Sequence, residues 1–190
     1  DAINAVAPST SAALGQNSAL ARALHLKNEP KVSRIVHPAD WISGLFSGRF
    51  DISDENNTLK TGYDPVLRQW PDWIEMAGMA RSLLPEVFEP GTSMAKAEGV
   101  LARHFGLLSQ TLIVAGTTDG CASFLATGAS KPGHAVTALG TTLTIKLLCE
   151  TPVLAPQYGI YSHRLLGGWL AGGASNSGGN VVASLFSKEE

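Results

Sequence analysis

The chain has 190 residues, 44% hydrophobic and 16% charged, which is a globular composition sufficient for one domain or two small ones. Its formal net charge of −2 argues against a nucleic-acid or membrane-surface partner, because phosphate-rich surfaces call for a surplus of Lys and Arg. The two cysteines, Cys121 and Cys149, lie far apart in apolar stretches, so they are expected as reduced, buried thiols rather than a disulfide or a metal pair.

In chain order, residues 1–28 are expected to be helical, interrupted at Pro8-Ser9-Thr10-Ser11 and resumed from Ser18 by strong helix formers. Pro38 and Asp40 suit a first helical turn, and Gly48 suits a stop, predicting a helix over 38–47 with Ile42, Leu45 and Phe46 on one face. Residues 51–73 read as loop because Asn, Asp and Gly are dense there. Helices are expected over 72–83, closed by Leu84-Pro85, and over 94–105, ending at Gly106. The pattern then changes. Leu112-Ile113-Val114-Ala115 predicts a buried strand, and Cys121 to Thr127 a helix. Ser130-Lys131-Pro132-Gly133 reads as a linker turn. Ala135 to Leu148 reads as two strands around Gly140-Thr141-Thr142. A hairpin around Gly167-Gly168 follows, then a glycine-rich loop over 172–179 and a helix from Val181. No basic and apolar opening of a secretory signal and no bilayer-length apolar run is expected.

Four segments could carry chemistry. Asp119, in Gly116-Thr117-Thr118-Asp119-Gly120, stands between a strand and a helix. It can take a proton from an attacking hydroxyl, or it can merely cap the helix. Gly140, Thr141 and Thr142 can hold phosphate oxygens with hydroxyls and successive N–H groups, or form an ordinary hairpin turn. The stretch Gly172 to Gly179, with Ser175, Asn176 and Gly178, can clasp a nucleotide or be a flexible surface loop; it is neither a P-loop nor a Rossmann fingerprint. Ser53-Asp54-Glu55-Asn56-Asn57 with Gly62-Tyr63-Asp64 can bind a polyol or a cation, or form a solvated turn. The five histidines are scattered without metal spacing, so no metal ligands are assigned, and no G-x-S-x-G marks a hydrolase nucleophile. Trp41, Trp70, Trp73 and Trp169 are expected in packing rather than base stacking.

Taken together, Val114 to Ala129, Ala135 to Leu143 and Gly172 to Gly179 resemble the FGGY carbohydrate kinases in order and spacing. His37-Pro-Ala-Asp-Trp41, Gly48, Asp54 to Asn57, Gly62-Tyr-Asp64 and Pro90-Gly-Thr92 also fit. The resemblance covers nearly the whole chain and looks nearest to the plant and cyanobacterial xylulose kinase-like, or D-ribulose kinase, branch. It implies an α/β, actin-like (ribonuclease H-like) two-lobed architecture, represented in part. Residues 1–130 would be the C-terminal portion of the sugar-binding lobe, and 131–190 the start of the nucleotide-binding lobe. It implies ATP and Mg2+ as cofactors and small-molecule sugar and nucleotide as partners, without nucleic acid or membrane. The location would be cytoplasmic, or the chloroplast stroma for a plant protein. Asp119 matches the catalytic base, with Thr118 and Gly120 beside it at the substrate. Gly140, Thr141 and Thr142 match a phosphate segment, and Ser175, Asn176 and Gly178 lie toward the nucleotide. The implied activity is ATP-dependent phosphorylation of a ketopentose, D-ribulose or D-xylulose, at a terminal hydroxyl. The alternatives are another polyol such as glycerol, or a non-catalytic sugar- or nucleotide-binding relative. Many relatives carry an amide after the catalytic Asp, where this chain has Gly120. The family's opening phosphate motif and its later adenosine motif have no counterpart here, so a fragment is expected, one that lacks activity alone.

Overall fold

The computed structural model describes residues 2–186, and by packing the chain divides into two compact units between Thr118 and Asp119. In the first unit, residues 2–17 form successive turns rather than helix. The segment before Pro8 is too short to repay helix nucleation, and the proline has no N–H to continue one. Helix α1 (Ala19–Leu26) begins after Ser18, whose hydroxyl accepts from the Ala21 amide. It buries Leu20 and Ala23 with Ile3, Ala13, Ile74, Met79 and Leu84.

Helix α2 (Pro38–Ser47) has the expected bounds, and Gly48 closes it at φ 81°. Its buried face is not the one with Ile42, Leu45 and Phe46. Asp40, Gly44 and Ser47 are buried, while Ile42 is 53% exposed. Gly44 is needed there because a Cβ would lie 2.5 Å from the Phe50 ring.

The segment expected as a solvated loop is instead structured and buried. It forms strand β1 (Ile52–Asp54), the short helix α3 (Glu55–Thr58) and a 3-10 turn, Leu59–Thr61. The helix expected over 72–83 is cut to α4 (Trp73–Met76) by Gly78 at φ 94°. Strand β2 (Glu86–Phe88) pairs in parallel with β1. The helix expected from residue 94 is replaced at its start by β3 (Ser93–Lys96), whose pairing overrides helix propensity. Gly99, packed on the α2 backbone, then opens α5 (Val100–His104). Strand β4 (Leu112–Val114) runs antiparallel to β3, with Leu112 and Val114 exposed rather than buried.

The second unit is a helix on a sheet. Helix α6 (Asp119–Ala126) is followed by β5 (Ala135–Leu139), β6 (Leu143–Cys149), β7 (Tyr161–Leu165), β8 (Gly168–Ser175) and α7 (Gly179–Leu185). The strands form one antiparallel sheet in the order β5-β6-β8-β7. Leu166 and Gly167, both at positive φ, make the β7–β8 hairpin tight. Cys121 and Phe124 of α6 pack on Leu148, Leu165 and Leu170. That contact sets the division by packing ahead of the 130–133 turn. The glycine-rich segment is strand up to Ser175, since Gly172 lets β8 lie against Ile145 and Lys146 of β6. Both cysteines are free thiols; Cys121 is buried and Cys149 half-buried. Trp169 is buried, Trp70 and Trp73 pack against the first core, and Trp41 is half exposed beside Phe50. Among the described residues no helix is long and apolar enough to cross a membrane.

Candidate active site

Asp119 is the first residue of α6, with its side chain exposed at the helix start. Its Oδ1 accepts from the adjacent Gly120 amide at 2.6 Å. The carboxylate lines a cavity of about 410 Å³ with Gly120, Ser123, Thr144, Lys146, Tyr161, His163 and the β8 backbone at Gly172 to Ala174. The floor follows from strand alternation: Thr144 and Lys146 of β6 turn to this side, while Leu143, Ile145 and Leu147 line the opposite face. The Asp119 carboxylate therefore stands beside a cationic side chain, hydroxyls, an imidazole and glycine backbone, a mixture able to take a small polar ligand.

The two segments expected at phosphate and nucleotide are brought together. Gly140, Thr141 and Thr142 form the β5–β6 turn, and the threonines are exposed. Leu143 pairs with Ser175, and the Gly179 amide donates to the Gly140 carbonyl at 2.6 Å. A Cβ on Gly178 would lie 2.5 Å from the Thr141 carbonyl oxygen and from Thr142 C. Gly178 is thus required by backbone packing on the turn. Ser175 Oγ accepts from the Ser177 amide at 3.1 Å, a local turn, and Asn176 is exposed. Gly140 to Thr142 and Ser175 to Gly178 do not line the Asp119 cavity. They adjoin it through Thr144 and Ala174.

Asn56 and Thr117 lie elsewhere, in a buried polar cluster of the first unit. Asp54 Oδ1 accepts from the amides of Asn56 and Asn57, both at 2.9 Å, and its Oδ2 accepts from Asn57 Nδ2 at 2.6 Å. Asn56 Nδ2 donates to Thr117 Oγ1 at 2.9 Å, tying the cluster to the loop before Thr118. Burial pushes the Asp54 carboxyl up, against the lowering effect of these hydrogen bonds. Glu55, 2% exposed, pairs with Arg68 at 3.2 Å, and Arg68 reaches Glu89 at 3.0 Å. Burial, aided by Glu55, pushes the Tyr63 hydroxyl up to about 12. The carboxylates and amides here are committed to one another, as the turn reading expected, but in the interior.

Sequence reasoning passed over two groupings. His37 Nδ1 lies 2.7 Å from Asp40 Oδ2, and its Nε2 lies 2.9 Å from Thr61 Oγ1. The order Thr-His-Asp resembles a nucleophile line-up, yet Thr61 is 1% exposed, so the grouping ties α2 to the interior. Lys146, Tyr161 and His163 were also missed; their signal is alternation along β6 and β7. Among the described residues no group of three His, Cys, Asp or Glu side chains could hold a metal ion.

No protein-family model matches the chain. It is 33% identical over 121 residues to an autoinducer-2 kinase of Yersinia enterocolitica, covering 63% of this chain and 23% of that protein. In fold it matches a xylulose kinase from Rhodospirillum rubrum, with a TM-score of 0.81 at 21% identity over 97% of this chain and 39% of that one. A gluconate kinase from Lactobacillus acidophilus gives 0.77 at 17% identity, over 94% and 38%. Plasmodium falciparum glycerol kinase with ADP gives 0.73 at 16%, over 96% and 39%. The relatives are carbohydrate kinases, and the chain has part of their actin-like α/β fold while spanning 23% of the curated relative's length.

Proposed function

We propose that this chain is part of an FGGY-type sugar kinase that transfers the γ-phosphoryl group of ATP to a terminal hydroxyl of a ketopentose, D-ribulose or D-xylulose. The observation that carries the proposal is the position of Asp119, exposed at the head of α6 on a cavity shared with Lys146, Thr144 and Ser123, whose strands lead into the Gly140–Thr142 turn. Phosphoryl transfer needs alignment, a proton acceptor and charge stabilisation more than covalent help. Asp119 would take the proton as the sugar oxygen attacks. The Gly140 N–H is taken by the Thr142 carbonyl at 3.0 Å, so the exposed residues Thr141 and Thr142 would receive phosphate oxygens, with Gly140 shaping the turn, Ser175, Asn176 and Gly178 bordering the nucleotide and Thr118 and Gly120 bordering the sugar. Mg2+ would arrive with the nucleotide and neutralise its phosphates. In the lobe assignment, residues 1–130 close the sugar-binding lobe and 131–190 open the nucleotide-binding lobe. The similarity to kinases named for autoinducer-2, xylulose, gluconate and glycerol supports phosphoryl transfer to a polyol-like acceptor.

The test is ADP release by the polypeptide that carries this chain, against D-ribulose, D-xylulose, glycerol and gluconate. Turnover with a pentulose, abolished in Asp119→Asn while sugar binding persists, is the expected result. Undiminished turnover in Asp119→Asn removes the assigned base. Sugar binding with no ADP release from any acceptor marks a non-catalytic relative.

A further inference from the structure

The Asp119 cavity contains a cation that the proposed proton transfer does not use. Lys146 is half-buried on β6, and among the described residues its ammonium makes no hydrogen bond or ion pair. Its ammonium occupies the space of an absent side chain, since a Cβ built on Gly120 would overlap Lys146 Nζ. Gly120 follows Asp119 directly, so the ammonium sits over the first turn of the helix that carries the carboxylate. The N-terminal end of α6 adds a partial positive charge at the same place. Ser123, Thr144, Tyr161 and His163 line the cavity around it. A partly desolvated ammonium with no partner carries a standing cost that an anion would relieve.

We propose that Lys146 is an oxyanion-binding residue of this cavity, with its ammonium lying over Gly120. The ligand is a phosphate or a carboxylate held beside Asp119. It is either the phosphate chain of the donor or an acid group on the acceptor. A charge-assisted hydrogen bond from Nζ holds it, with the Ser123 and Thr144 hydroxyls as further partners. The proposal rests on reading the Asp119 cavity as the site of transfer. Its test is independent of turnover.

The experiment uses the 190-residue chain with 13Cε-labelled lysine. It is titrated separately with tripolyphosphate, with gluconate and with neutral xylitol, and the Lys146 resonance is followed by NMR. A saturable Lys146 shift is expected with tripolyphosphate or with gluconate, and none with xylitol. The first outcome assigns the site to the phosphate donor, the second to an acidic acceptor. Lys146→Met is expected to weaken that binding roughly ten-fold or more. Lys146→Gln keeps a long polar side chain without the charge and is expected to weaken binding as well, which keeps the test open should Lys146→Met not fold. No saturable shift with either anion, an equal shift with xylitol, or binding unchanged in both variants overturns the proposal. Asp119→Asn that still turned over would remove the kinase base while leaving anion binding at Lys146 intact, so the two failures are distinguishable.

Discussion

Phe124→Ala is the most direct measure of what holds Asp119 in place. Phe124 is 1% exposed and, with Cys121, forms the α6 side of a core completed by Leu148, Leu165 and Leu170. Truncating a ring so enclosed removes its transfer free energy and leaves a cavity, at a cost of about 3–5 kcal/mol. Domains as a class carry about 5–15 kcal/mol, so the second unit would lose a large part of its stability. The assay is urea unfolding of chain labelled with 19F-tryptophan. Trp169 is the one tryptophan of the second unit, with the Arg164 guanidinium 3.9 Å over its ring, whereas Trp41, Trp70 and Trp73 report on the first. With an m value of about 1–1.5 kcal/mol/M for a small unit, the Trp169 midpoint should fall by about 2–5 M. In practice that means the second unit unfolds in little or no denaturant. The other three resonances should keep their midpoints. A Trp169 shift worth less than about 1 kcal/mol would mean α6 is not seated on the sheet, and the cavity geometry would fail with it.

Asp54→Ala removes three accepted hydrogen bonds and the cap of α3, and should cost about 2–3 kcal/mol by urea unfolding at neutral pH. It should also change the pH dependence. The folded carboxyl is raised by burial, so over the range between its unfolded and folded pKa the native state binds more protons. This group's contribution therefore falls as pH rises through the folded pKa. Asp51, lowered by Arg49, acts in the opposite sense: its contribution is lost as pH falls. The wild-type minus Asp54→Ala difference should decline toward higher pH, and a rising difference would contradict the assignment. Gly178→Ala forces a Cβ against the 141–142 backbone and should cost at least about 2 kcal/mol. Gly116→Ala, where the space is open, should stay within about 0.5 kcal/mol; equal thermal midpoints for the two would refute the packing. In native chain a thiol reagent should modify Cys149 and leave Cys121 protected until unfolding, with rapid reaction of both counting against the α6 seat.

The second unit was largely legible in the sequence because its signals are local. Alternation over 135–148, glycines at the hairpin and a helix after Asp119 each specify an element without reference to a partner. The first unit was not. Residues 53–61 are polar, and polarity reads as solvent exposure; here Asp54, Thr58, Thr61 and His37 satisfy one another, so the segment is interior. Ser93 to Lys96 and Arg81 to Leu83 carry helix formers, but strand pairing and Gly78 decide their state. For the site, Asp119 was visible from its place between strand and helix. Lys146 was not, because its meaning depends on its lying over Gly120, 26 positions earlier. The glycines at 172–179 were read for ligand approach; at Gly172, Gly178 and Gly179 the structure gives a contact of one main chain with another.

The strict two-residue rhythm of β6 couples two properties that would otherwise vary independently. Thr144 and Lys146 face the Asp119 side only while Leu143, Ile145 and Leu147 face away. Inserting or deleting one residue between Gly140 and Lys146 would invert the strand, sending the ammonium to the greasy side and an isoleucine or leucine toward the carboxylate. Evolutionary drift in the length of this strand is therefore barred in steps of one.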